Sequence, residues 1–454
     1  MTGRKLLHKS LIACAGLIIS IQLQAQTLQE AIQCAFVTNP DVLITTNDRL
    51  ASDEALKVAQ AGYLPTLDAN LGAGRERALN ASTVNFLGTE SLVTLTRTEA
   101  GMHLDQMLFD GFATNDEVAR NQFRDASAAY RVAGTANDIA LRVAQVYLAV
   151  LQQQNTVALA KENLDLLTKL YNLISQRTKA GIARSGDLVQ AKSRLALAKT
   201  NYLNAYSNLQ DAITDYVDVV GVAPKDLIDP FIDPEDIPPT EQAAVDQAID
   251  HHPTLQSAME DVEAARAQAA AAHSDDLPRI DLQVGADLDH NVDGLPGPDD
   301  DYIAMLRGRY NLFKGGADLA KERQTAFLLQ EAMEVRNKTY RQVVRATRLS
   351  WNALETVEQQ LPDLQSHYDN ASKTVGIFKQ QFMLGDRTLL DLLDQQNEAF
   401  TSGTAYINGK YTDIFAKYRV INAMGKLPQC VHVPMPAEAQ IKINHDDSLM
   451  GDFL

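Results

Sequence analysis

The chain carries its own plan twice. Leu64-Pro65-Thr66-Leu67-Asp68 returns as Leu277-Pro278-Arg279-Ile280-Asp281, displaced by 213 residues, and Leu108-Phe109-Asp110-Gly111 returns as Leu312-Phe313-Lys314-Gly315, displaced by 204. The displacement of 204 also carries Gly181 onto Gly385, Asp187-Leu188-Val189 onto Asp391-Leu392-Leu393, Tyr202 onto Tyr406 and Gly221 onto Gly425. A repeat sustained over that distance makes each half one structural unit. The nine-residue difference between the displacements falls between Gly72 and Leu108, so one loop is longer in the first half.

Length alone allows about three ordinary domains, but the duplication predicts one elongated body of two repeats, 26–221 and 241–426. Arg4, Lys5 and Lys9 precede the apolar run Leu11 to Ile21 and the small-residue end Leu23-Gln24-Ala25, the layout of a secretory signal over 1–25. The rival reading, a lipoprotein box at Leu11-Ile12-Ala13-Cys14, leaves too short an apolar stretch before the cut. Without residues 1–25 the net charge falls from -17 to 38 - 58 = -20. An acidic exported chain is a poor nucleic-acid binder. No later segment approaches the ~18 apolar residues of a spanning helix, so any entry into a membrane must use strands. Cys34 and Cys430 remain after processing, either as a pair or, the favoured reading, as two buried free thiols.

Thr27 to Gly62 reads as a helix that stops before Leu64-Pro65, and 241–273 as its partner, stopping before Leu277-Pro278. Beyond each proline the period drops to two. Ile280, Leu282, Val284, Ala286 and Leu288 alternate with Asp281, Gln283, Gly285, Asp287 and Asp289, and Leu67, Ala69, Leu71 and Ala73 alternate with Asp68, Asn70, Gly72 and Gly74. One β-hairpin is predicted per half, at about 65–109 and 278–313, with turns near 75–91 and 290–301. A soluble sheet shows the same alternation. Strands of about ten residues, isolated between helices with no second layer, fit a membrane wall better. Four strands cannot close a barrel, and open edges are not tolerated in lipid, so several chains must share one.

After each hairpin comes a very long helix, from Phe112 to about Lys179 and from Ala317 to about Leu384. Leu364, Tyr368, Ala371, Val375, Phe378 and Phe382 step as in a coiled coil. The chain turns at Gly181 and Gly385 and returns as helix. The first return carries Leu188, Ala191, Leu195, Ala198, Tyr202, Ala205, Leu209, Ala212 and Tyr216. The second carries Leu390, Leu393, Asn397, Phe400, Thr404, Ile407, Tyr411, Ile414, Tyr418 and Ile421. Residues 222–240 are proline-rich and acidic, a connector placed in a belt around the body, and 427–454 form a polar tail.

These pieces, with Phe382-Met383-Leu384-Gly385-Asp386-Arg387-Thr388-Leu389-Leu390-Asp391-Leu392-Leu393-Asp394, resemble the TolC family of trimeric outer-membrane channel-tunnels over nearly the whole processed chain. The resemblance implies an α+β membrane protein: a long coiled-coil α-helical barrel in the periplasm and a 12-stranded antiparallel β-barrel in the outer membrane, shared by three protomers. It implies a periplasmic gate holding Arg387, Asp391 and Asp394, with Asp187 helping to keep it shut. Phe382 stands where the family often has a tyrosine, so the tyrosine's hydrogen bond across the tip is unavailable. The helical tips at Gly181, Ser185, Gly385 and Thr388 are implied to dock a membrane-fusion adaptor. Asp391 and Asp394, three apart, share a helix face, so three chains place six carboxylates around one axis, where they attract cations. For Asp391 a second reading stays open, because Thr388 and Asp391 also make the pattern of a helix start.

No phosphate-cradling loop, Gly-x-Ser-x-Gly or His-Glu-x-x-His occurs, and His251 and His252 are adjacent and point apart, so neither an enzyme nor a metal or other cofactor is expected. The reading is a passive trimeric duct that exports proteins with an inner-membrane ABC exporter in type I secretion. The alternatives are an efflux duct for drugs or metals and, in another class, a periplasmic coiled-coil scaffold.

Overall fold

The computed structural model describes residues 26–88 and 90–441. The signal segment 1–25, including Cys14, and the tail from 442 lie outside the described residues. Each repeat runs helix, helix, strand, strand, long helix, return helix. In the first these are α1 (Leu28–Thr38), α2 (Pro40–Gln60), β1 (Thr66–Ala78), a short α3 (Ala81–Leu87), β2 (Val93–Phe109), α4 (Ala113–Lys179) and α5 (Ser185–Val220). In the second they are α6 (Glu241–His251), α7 (Pro253–Ala271), β3 (Arg279–His290), β4 (Pro298–Arg309), α8 (Ala317–Leu384) and α9 (Leu389–Ala423), followed by α10 (Leu427–Cys430).

Two expectations are corrected. The first helix of each repeat is two helices, parted at Asn39-Pro40 and His252-Pro253, again 213 residues apart. The residue before proline is driven out of the helical region, and Asn39 and His252 are both extended, with ψ 125° and 119°. The first hairpin connection is also no simple turn. It holds α3, capped by Asn80, whose side chain accepts from the Thr83 N–H and whose backbone N–H donates to the Thr83 hydroxyl. The second connection has only a 3-10 turn at Val292–Gly294, so the extra residues of the first half are this helix.

The chain divides into two units. One holds described residues 26–45, 132–253 and 340–439, the other 46–131, 254–339 and 440–441. The first is helical, with a core built on Ile32, Val143, Tyr147, Tyr216, Tyr418, Ile421 and Leu427. Ala191, Ala198, Ala205 and Ala212 are buried on α5 at a strict interval of seven, the spacing of a coiled-coil seam. On α9 the expected Leu393, Tyr411, Tyr418 and Ile421 are buried, but near the tip the buried face differs from the expected one. Leu390 and Asn397 are exposed, whereas Leu389, Leu392, Gln396, Ala399 and Gly403 are buried. Small residues decide this: a Cβ on Gly403 would stand 2.8 Å from the Tyr368 ring, so that ring packs directly on the α9 backbone.

The connector is ordered. Tyr147 Oη accepts from the Ile228 N–H at 3.1 Å and lies 2.8 Å from the carbonyls of both Gln26 and Ile228. Burial pushes the Tyr147 hydroxyl up to about 12, which keeps its proton available. Asp229 takes hydrogen bonds from Lys410 and Tyr411. The tail does not begin as a polar strand of chain, because Leu427 and Val433 are buried in the same core. Both cysteines are free thiols, and burial holds Cys430 at about 12, so it is not a nucleophile.

His252, at the break between α6 and α7, has a buried Nδ1 with no hydrogen-bond partner, and burial holds its imidazole below the ordinary 6.5. The unfolded chain therefore binds a proton that the folded chain refuses. This stability is fully present above pH 6.5 and is lost as pH falls below it. Melting measured between about pH 7.5 and 5 is expected to show an acid decline in the native chain that is smaller in His252→Gln. Equal slopes would dismiss the role of His252.

Candidate gate and membrane face

At the tip of the helical unit, both long helices end in the same way. The Ile182 N–H bonds to the Arg177 carbonyl at 2.9 Å and the Gly181 N–H to Thr178 at 3.0 Å; Asp386 to Gln381 at 2.9 Å and Gly385 to Phe382 at 3.2 Å repeat the pattern. This paired closure needs a left-handed residue, and Gly181 and Gly385 supply it with φ of 72° and 90°. Beneath the turns, Leu167, Leu170, Ile174, Ala191, Ala198, Leu389, Leu392 and Leu393 form a second core, with Phe378 and Phe382 packed against it.

Asp391 completes a capping box at the start of α9: its N–H donates to the Thr388 hydroxyl at 3.2 Å and its carboxylate accepts from the Thr388 N–H at 3.4 Å. The Arg387 guanidinium lies 3.9 Å from that carboxylate, donates to Gln381 at 3.0 Å, and sits 4.2 Å from the Phe378 ring centroid. Asp394 accepts from Arg194 on α5 at 2.6 Å. Phe382, lacking a hydroxyl, packs into the tip core and carries Arg177 over its ring at 5.6 Å. Asp187 and Ser185 lie in the first turn of α5. Sequence reasoning missed Arg194 and Arg177. Arg177 had a signal, since the displacement of 204 makes it the counterpart of Gln381. Arg194 had none, because its partner is 200 residues away on a helix of the other repeat.

The other unit holds one four-stranded antiparallel sheet in the order β1-β2-β3-β4. Pairing aligns the faces row by row. Leu67, Leu104, Val284 and Ala304 form one row, and Ala69, Met102, Ala286 and Tyr302 the next. On the opposite face His103 meets Asp287 at 3.1 Å, Gln283 donates to Asp105 at 2.7 Å, and Asp281 joins Arg279 and Arg309. The apolar face is bare: Leu71 is 87 %, Tyr302 71 % and Leu306 65 % exposed. Among the described residues, no helix is long and apolar enough to cross a membrane.

Also in this unit, His273 lies 3.4 Å from Glu322 and 3.9 Å from Asp276. Asp276 and the histidine are open to solvent and the three residues offer one ligand atom each. Solvent-screened ion pairing accounts for such a group.

A chain of paired long helices, a two-faced sheet and a glycine-closed helical tip has the architecture of an export channel. The family model for outer membrane efflux proteins matches residues 31–220 and 244–426, and the chain belongs to that family. It is 24% identical to the outer membrane efflux protein BepC of Brucella suis over 430 residues, 92% of this chain and 91% of BepC. It is 20% identical to the outer membrane protein TolC of Escherichia coli over 89% of this chain and 83% of that one. Among solved structures, the Campylobacter jejuni CmeC outer membrane channel superposes with a TM-score of 0.76 at 16% identity, covering 88% of this chain and 86% of that one. The protein is thus an outer-membrane transport component and not an enzyme.

Proposed function

We propose that three copies of this chain form a passive duct whose 12-stranded barrel crosses the outer membrane and whose helices enclose a periplasmic tunnel. The observation that carries this is the sheet with one bare apolar face, one ion-paired polar face and two unpaired edges, at β1 and β4. Three such sheets joined edge to edge satisfy every edge, which lipid demands. The apolar run Ile280 to Leu288 extends about 30 Å along the strand, or roughly 20–25 Å when tilted as barrel strands are, the height of the outer-membrane apolar band.

The tip residues Arg387, Asp391, Asp394, Asp187 and Phe382 are assigned to the gate, and Gly181, Ser185, Gly385 and Thr388 to docking of a periplasmic adaptor. Exposed Ile182 and Leu384 beside those turns offer apolar contact to such a partner. Nothing in the chain's sequence has the form of a nucleotide site, so energy comes from an inner-membrane ABC exporter, with secreted protein as cargo. The tip string Gly385 to Asp394 supports the secretion reading. The likeness to BepC, which is named an efflux protein, supports drug efflux as the second reading.

A deletion strain separates them. Proteins missing from the culture supernatant with unchanged drug tolerance mark secretion, and the reverse marks efflux. The duct itself is tested by reconstitution: detergent-extracted trimers are expected to give discrete conductance steps in a planar bilayer. A monomer that carbonate washes from membranes would refute it.

A further inference from the structure

On the gate reading above, we propose that Arg194 sets the charge selectivity of the tip by neutralising Asp394 from within the same chain. Arg194 Nη2 lies 2.6 Å from Asp394 Oδ1, and the two side chains are 30 % and 55 % exposed. The arginine is held from its root. Ala191 and Ala198 on α5 are each 2% exposed, and Arg194, three residues after one and four before the other, shares their face of the helix. Its partner is equally placed, since Asp394 follows Leu392 and Leu393, both buried in the tip core. A guanidinium presented by a packed helix loses little freedom on pairing.

The consequence is a change in the charge of the ring. Asp391 is engaged by the start of α9 and by Arg387, and Asp394 by Arg194. The two acids at the start of α9 are therefore matched by two cations in each protomer. A trimer does not present six bare carboxylates. The pair also occurs once per chain, because the displacement of 204 puts Glu398 at the place of Arg194 and Gln190 at that of Asp394. Glu398 is taken by His367 at 2.9 Å. Removing Arg194 uncovers three carboxylates in a narrow ring, where like charges reinforce their hold on a multivalent cation.

The test is block of purified trimers in planar bilayers by hexaamminecobalt(III), added on the tip side, together with the reversal potential in a salt gradient. Arg194→Gln is expected to lower the half-blocking concentration roughly tenfold and to shift the reversal potential towards cations. Asp394→Asn, which leaves Arg194 unpaired, is expected to shift both the opposite way. The exchanged pair, Arg194→Asp with Asp394→Arg, is expected to return native values, and it carries the test if the single arginine variant fails to assemble. A native response from Arg194→Gln beside a shifted Asp394→Asn overturns the proposal while leaving the gate in place. Native responses from both variants remove Asp394 from the gate, and the proposal falls with it.

Discussion

Met102→Arg is expected to abolish outer-membrane assembly, while Met305→Arg leaves it intact. The substitution is the same and only the face differs. Met102 lies in the row with Ala69, Ala286 and Tyr302, and Met305 pairs with Gln283 on the face that carries Asp105. An arginine on the lipid face near the bilayer midplane costs about 2–4 kcal/mol, and three copies in one barrel raise this to roughly 6–12 kcal/mol, comparable to the whole stability of a typical domain. On the polar face, in the row of Gln283 and Asp105, the same side chain meets water instead of lipid. Heat-resistant trimer in the outer-membrane fraction is the readout. Normal amounts from Met102→Arg would refute the lipid assignment, and loss from Met305→Arg would refute a water-filled lumen.

Leu393→Ala is expected to loosen the tip without harming the rest of the helical unit. Leu393 is 1% exposed and packs with Leu167, Leu170 and Ile174. Truncating such a leucine costs about 2–5 kcal/mol. At about 1.4 kcal/mol per factor of ten, the opened tip becomes roughly 30-fold to several thousand-fold more populated. Limited proteolysis should then cut within 180–186 and 384–388 at rates raised accordingly, and single channels should conduct more. Leu390→Ala is the control, because Leu390 is 45% exposed three residues earlier and an exposed truncation changes stability by about 0.5 kcal/mol or less. Equal protease resistance in the two variants would count against a tip core that holds the gate.

The two faces of the sheet were legible because a strand has a strict period of two, so Ile280 to Leu288 display their sidedness whatever they pair with. Gly181 and Gly385 were legible because the chain must reverse between helices, and the left-handed position there suits glycine. The α9 face departs from the expected one near the tip, while Leu393, Tyr411, Tyr418 and Ile421 are buried at expected positions. A coiled-coil stepping led to Leu390 and Asn397, whereas the packed surface buries Ala399 and also Gly403, against which the Tyr368 ring of α8 packs. The division at Asn39-Pro40 falls inside the span expected as one helix, Thr27 to Gly62, where the proline drives Asn39 out of the helical region. For Asp391 the structure builds the capping box of a helix start and also brings Arg387 near the same carboxylate.

Local periodicity and the internal duplication already determined the succession of hairpin, long helix and return helix in each repeat, the strand faces and the two turning points, because each follows from backbone geometry and side-chain polarity within a few residues. Tertiary structure alone decided which polar side chains meet. Arg194 and Asp394, Gln396 and Asn163, and Lys410 and Asp229 each join segments more than 150 residues apart. Such partners depend on how helices of the two repeats pack side by side, and no periodicity along one chain encodes that pairing.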